Sequence, residues 1–157
     1  MVIVENDERF CVNVSTIPDA GNGLFARTLL AEGEQLEVIG VLVPAGSVSD
    51  VCTRYADHHK FRVGDLLLIP LGFGGMVNHS KHPNMEKVID GQTVYLRTTC
   101  AIPPGEELFF TYGEEFFKVA KIDPDSFSRK GRWSGDGDVE TGTQLVLDSS
   151  CVPVSAP

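Results

Sequence analysis

At 157 residues, with 42% hydrophobic and 22% charged side chains, the chain has the size and composition of one soluble globular domain, which excludes a disordered polymer. Its formal charge of −9, with Lys and Arg scattered singly, makes nucleic acid and anionic membranes poor partners. An acidic surface suits a basic, lysine-rich partner, and it equally serves plain solubility.

Taken from the N-terminus, the chain reads as short β-like runs broken by turn residues. Phe10–Val14 alternates in part and predicts a strand. Gly21-Asn22-Gly23 then leads into Leu24-Phe25-Ala26. Two glycines here serve either a turn between strands or a close approach of the main chain to a ligand. The G-x-G-x-x-G dinucleotide pattern fails at Ala26. Residues 36–43 predict one long strand, and 51–60 a short helix capped by Ser49 or Asp50.

Residues 66–69 predict a buried strand stopped by Pro70 and Gly72. The apolar stretch 66–77 runs straight into the polar Asn78-His79-Ser80-Lys81-His82-Pro83-Asn84, which fits a surface loop or a functional segment. Runs 87–89 and 93–97 flank Asp90-Gly91, a hairpin turn. Pro103-Pro104-Gly105 is a turn before a strand at 107–111. Residues 114–121 predict a helix with acids in its first turn and lysines in its last. Beyond Pro124 the composition shifts to Gly, Ser, Asp and Thr. Residues 1–124 therefore read as the folded domain and 125–157 as a poorly ordered tail, or a weak extra strand at Leu145-Val146-Leu147.

Cys11, Cys52, Cys100 and Cys151 form no C-x-C or C-x-x-C pair, which argues against a zinc cluster. The pairs His58/His59 and His79/His82 lack the ligand company of a metal site, so no metal is expected. No basic segment followed by an apolar core opens the chain, and no apolar run is long enough to span a bilayer. A soluble intracellular protein, cytoplasmic or nuclear, is the expectation.

Three segments in order, Gly21-Asn22-Gly23-Leu24, Asn78-His79-Ser80 with Pro83-Asn84, and Gly105-Glu106-Glu107-Leu108-Phe109-Phe110-Thr111-Tyr112-Gly113, together resemble the SET-domain protein lysine methyltransferases. The resemblance spans roughly residues 10 to 118. It implies a mainly β, β-clip-like SET fold of several small sheets around a threaded, knot-like C-terminal segment. It further implies a minimal domain without zinc-binding flanking modules. Lys81 stands where many members carry a cysteine, in keeping with the missing zinc ligands.

The implied activity is transfer of a methyl group from S-adenosyl-L-methionine to a lysine side chain of a protein or peptide. By resemblance, Gly21, Asn22, Gly23, Leu24, Asn78, His79 and Tyr112 bind the methyl donor, and Tyr112 is the catalytic residue. Phe110, two residues earlier on the same strand face, shapes the lysine channel. As Phe rather than Tyr it favours a pocket tolerating di- or trimethylation. Tyr55, Phe116 and Phe117 are further channel candidates, each equally suited to ordinary packing, and Glu114 and Glu115 could attract a basic peptide or simply cap a helix. Minimal relatives complete their substrate groove by pairing two copies, so a homodimer is compatible. The alternatives are a catalytically inactive SET-fold module that binds a peptide or protein, and an unrelated small β protein with chance matches.

Overall fold

The computed structural model describes residues 5–120, so the tail read at 125–157, with its strand candidate at 145–147, lies outside the described residues. In chain order the strands are β1 Phe10–Val14, β2 Asn22–Ala26, β3 Gln35–Glu37, β4 Gly40–Pro44, β5 Phe61–Val63, β6 Leu66–Pro70, β7 Asn78–His79, β8 Met85–Asp90, β9 Thr93–Thr98 and β10 Phe109–Phe110. Two short helices join them, α1 Val48–Cys52 and α2 Glu114–Ala120. The strands form four small sheets, β1–β2, β3–β9–β8, β4–β6–β5 and β7–β10. This is the mainly β plan that the sequence predicts.

Alternation fixes which faces turn inward. In β9, Val94, Leu96 and Thr98 are buried while their neighbours are half-buried, the period-2 signature of a sheet with one face on a core. The hairpin expected around Asp90-Gly91 is present, with Asp90 opposite Thr93. Leu24, Leu30, Leu36, Met85, Leu96, Ile102 and Leu108 are fully enclosed in one continuous core contributed by all four sheets and the loops between them.

Two expectations need correction. The single strand at 36–43 is two strands in two sheets: β3 pairs with β9, and β4 pairs with β6. Between them the Val38 N–H donates to Val94 C=O at 2.8 Å, and Ile39 C=O accepts from Leu71 N–H at 2.9 Å. The crossing works at Gly40, where a Cβ would overlap the Ile69 carbonyl oxygen. The helix at 51–60 is also earlier and shorter. α1 is capped by Ser47, whose Oγ accepts from Asp50 N–H at 3.3 Å, and it ends at Thr53 before a 3-10 turn, Arg54–Ala56. The Thr53 hydroxyl donates back to the carbonyls of Ser49 and Asp50 at 2.8 and 3.1 Å, closing the last turn.

Candidate active site

β7 and β10 are only two residues each, yet they join segments far apart in sequence. They run parallel, Asn78 opposite Phe109 and His79 opposite Phe110, a pairing that requires a long crossover. Ser80 N–H extends it by donating to Phe110 C=O at 3.2 Å. Asn84 pins the same stretch from the side. Its Oδ1 accepts from Phe109 N–H at 2.8 Å and its Nδ2 donates to Glu107 C=O at 2.9 Å, so a buried amide substitutes for a strand partner.

Glu107 is the hub of the site and is only 2% exposed. Its carboxylate accepts four hydrogen bonds: from Ser15 Oγ at 2.7 Å and Asn78 Nδ2 at 3.0 Å on Oε1, and from Thr16 N–H at 2.6 Å and Thr16 Oγ1 at 2.5 Å on Oε2. A buried carboxylate is tolerated when several donors meet it in this way. Asn78 Nδ2 also reaches Asn22 C=O at 3.0 Å, tying the glycine turn to β7. Gly23 faces the carboxylate so closely that a Cβ would overlap Glu107 Oε1, so only glycine fits.

His79 continues the chain of contacts toward Tyr112. Its Nδ1 accepts from Tyr112 N–H at 3.2 Å, and its ring lies 5.4 Å from the Tyr112 ring and 4.8 Å from that of Phe117. The Tyr112 hydroxyl donates to Val77 C=O at 3.1 Å, and burial pushes its pKa up to about 12, so the phenol stays protonated. Burial, helped by Lys81 and opposed by a bond to the Phe110 backbone, holds the His79 pKa below its ordinary value of 6.5. The neutral imidazole therefore stabilises the fold fully above 6.5, and that contribution is lost as pH falls through the lowered folded value. Acidification below 6.5 should depress the melting temperature of the native chain more than that of His79→Gln, whose amide oxygen accepts without titrating.

A cleft of about 1280 Å³ opens beside Tyr112, walled by Phe61, Val77, Phe110 and Phe116. Phe110 stacks on Phe61 at 5.5 Å and 16°, and Tyr112 meets Phe110 at 4.9 Å and Phe116 at 4.7 Å. Gly21 and Asn22 are exposed, and no heavy atom lies within 4 Å of a Cβ built on Gly21. That main chain is open to a ligand.

Residues 21–113 match the family model for the SET domain. The chain belongs to the SET-domain family. A 53-residue stretch is 40% identical to the Caenorhabditis elegans histone-lysine N-methyltransferase Suv4-20, over 34% of this chain and 18% of the worm protein. This SET domain thus spans under a fifth of that relative. A crystal structure of a candidate histone methyltransferase of Plasmodium falciparum superposes with a TM-score of 0.57 at 20% identity, over 69% of this chain and 96% of that one. The humanized mutant of the Chaetomium thermophilum Polycomb Repressive Complex 2, bound to an inhibitor, gives 0.58 at 22% identity, over 69% of this chain and 16% of that one. At these identities the two structures speak for the fold.

Within this SET domain, Gly21, Asn22, Gly23, Asn78, His79 and Tyr112 lie along one connected path, and Phe110, Phe116 and Phe117 pack around its inner end. Leu24 differs: its side chain is fully enclosed in the core, and its C=O accepts from Leu108 N–H at 2.8 Å. Tyr55 sits in the 3-10 turn beside the cleft, but its side chain lies outside the described residues. Glu107, Ser15, Thr16, Phe61 and Val77 were not singled out by sequence. Among the described residues no cluster of three His, Cys, Asp or Glu side chains could hold a metal, and no helix is long and apolar enough to cross a membrane.

Proposed function

We propose that this SET domain is a protein lysine methyltransferase using S-adenosyl-L-methionine, with residues 1–124 as the catalytic unit. The observation that carries the reading is the continuous path from Gly23 through Glu107, Asn78 and His79 to a protonated Tyr112 at an aromatic cleft. When bound, the donor supplies an electrophilic methyl on a sulfonium, so that a neutral lysine nitrogen forms an N–C bond as the C–S bond breaks and a neutral thioether leaves. Gly21, Asn22, Gly23 and Leu24, with Asn78 and His79, would hold it. The exposed main chain at Gly21 and Asn22 fits an amino-acid head group, Leu24 serving through its place in the strand.

A lysine in water has a pKa near ~10.4 and carries a proton that blocks attack. Phe61, Phe110 and Phe116 disfavour the ammonium by desolvation, and the released proton passes to solvent. Tyr112, its O–H committed to Val77, keeps oxygen lone pairs to accept from the amine and orient it. With a pKa raised to about 12 it is a poor general base, so its role is alignment. Phe110 sets the room left for methyls already added. Phe110→Tyr should shift the product from di- and trimethyl-lysine toward monomethyl-lysine, read by mass spectrometry of a methylated peptide.

The deciding experiment combines donor binding by calorimetry with transfer of a radiolabelled methyl group to lysine peptides. Binding with transfer supports the enzyme. Binding without transfer supports the alternative of a noncatalytic SET-fold binding module, and no binding sinks the donor assignment.

A further inference from the structure

We propose that the substrate segment held in this cleft carries acidic residues around its target lysine, read by Arg54, Arg62 and Lys87. The inference rests on the lysine-methyltransferase reading and names the substrate class of that site. It runs against the charge of the chain as a whole, which at −9 suggests a basic partner.

The cleft is lined by Arg54, Lys60, Arg62 and Lys87 against Asp50, Asp57 and Glu114, a surplus of one positive charge. Which of these charges a peptide can meet decides the matter. The Lys60 side chain is 4% exposed, and its ammonium is committed to Asp50 Oδ1 at 2.7 Å and Asp57 Oδ1 at 2.6 Å. Asp50 spends its other oxygen on the Gly46 N–H at 2.8 Å. One internal lysine therefore occupies both carboxylates of this wall. Glu114 is exposed and leans toward Lys118 at 3.8 Å.

The remaining cations are less committed, although, behind the Lys60 hydrogen bond, Arg54 helps to lower the Asp50 pKa from beyond ion-pair distance. Arg54, Arg62 and Lys87 are all exposed, and no described carboxylate lies within ion-pair distance of any of them. Arg62 donates only to the Gly64 carbonyl, at 3.2 Å. Elsewhere Arg9 and Arg97 are each paired, while the half-buried Arg27 has no described carboxylate within ion-pair distance. Three exposed cations without an ion pair thus line the cleft where a bound peptide would flank the lysine channel. Arginine or lysine flanks would set like charges there, whereas Asp or Glu flanks form charge-assisted, bidentate contacts.

The test uses the full chain, labelled donor and a peptide library with one central lysine and randomised flanks free of lysine. Mass spectrometry of the methylated fraction should show Asp and Glu enriched beside the lysine. On two resynthesised peptides, Glu flanks should give kcat/KM about tenfold above Arg flanks at low salt, with the ratio shrinking in concentrated salt. The double variant Arg54→Glu/Arg62→Glu, checked for folding by circular dichroism, should invert the preference. Enrichment of basic flanks, or none, in the native chain overturns the inference while leaving methyl transfer standing. A chain that binds donor yet labels no library member overturns the transferase reading and this inference together.

Discussion

Replacing Tyr112 by Phe should lower kcat by about 100- to 1000-fold, the scale of removing one preorganised polar group from a transition state. Donor affinity should hardly move, because the ring and its contacts with His79, Phe110 and Phe116 survive. The substitution also strands the Val77 carbonyl, which now receives the phenol proton at 3.1 Å. A buried acceptor without a donor costs roughly 1–3 kcal/mol, so urea unfolding should show a destabilised but cooperative fold. Single-turnover methyl transfer separates the effects, since the stability loss alone leaves the rate per folded molecule unchanged. Comparable turnover in the variant would refute the role given to the hydroxyl.

The second large effect is expected from Glu107→Gln, which preserves shape and removes charge. An amide offers one acceptor oxygen and one donor nitrogen, but both carboxylate oxygens face donors. The hydroxyls of Ser15 and Thr16 can rotate to accept instead. The Thr16 N–H cannot, so the new NH₂ should turn toward Asn78, whose Nδ2 has other acceptors in Asn22 C=O and Ser15 Oγ. Asn78 Nδ2 would then keep only those two acceptors, and β7 would lose its link to the side chain at 107. Loss of bonds to a charged group costs about 1.5–3 kcal/mol in stability. Donor binding should weaken by about tenfold or more, while peptide KM changes less. Calorimetric titration of donor into the folded variant measures it, and unchanged affinity would reduce Glu107 to a structural brace.

The three motifs were legible because each encodes a local backbone need: glycines under a carboxylate, a buried amide and imidazole, an inward tyrosine. The hub itself was not. Glu106 and Glu107 are adjacent and chemically alike, and nothing local says that Glu106 is exposed while Glu107 accepts from residues near the N-terminus. The broken strand at 36–43 shows the same limit. An apolar run reports burial, and the change of sheet depends on the distant Ile69 carbonyl, with Gly40 the single hint. Phe61 could not be found either, since it sits between the first two motifs, in neither, and gains meaning only by stacking on Phe110. What sequence lacked in each case was the identity of a partner supplied by a distant segment.

The two-residue β7–β10 ladder has one more implication, for how activity fails under stress. The hairpins β1–β2 and β8–β9 are held by local pairing, whereas this ladder depends on distant segments and is too short to resist opening by itself. Peeling its later strand from the earlier one would scatter the asparagine, imidazole and phenol while most of the β content stayed intact. Mild heat or denaturant should therefore silence the protein well before its circular dichroism spectrum changes, and cooling should restore it quickly.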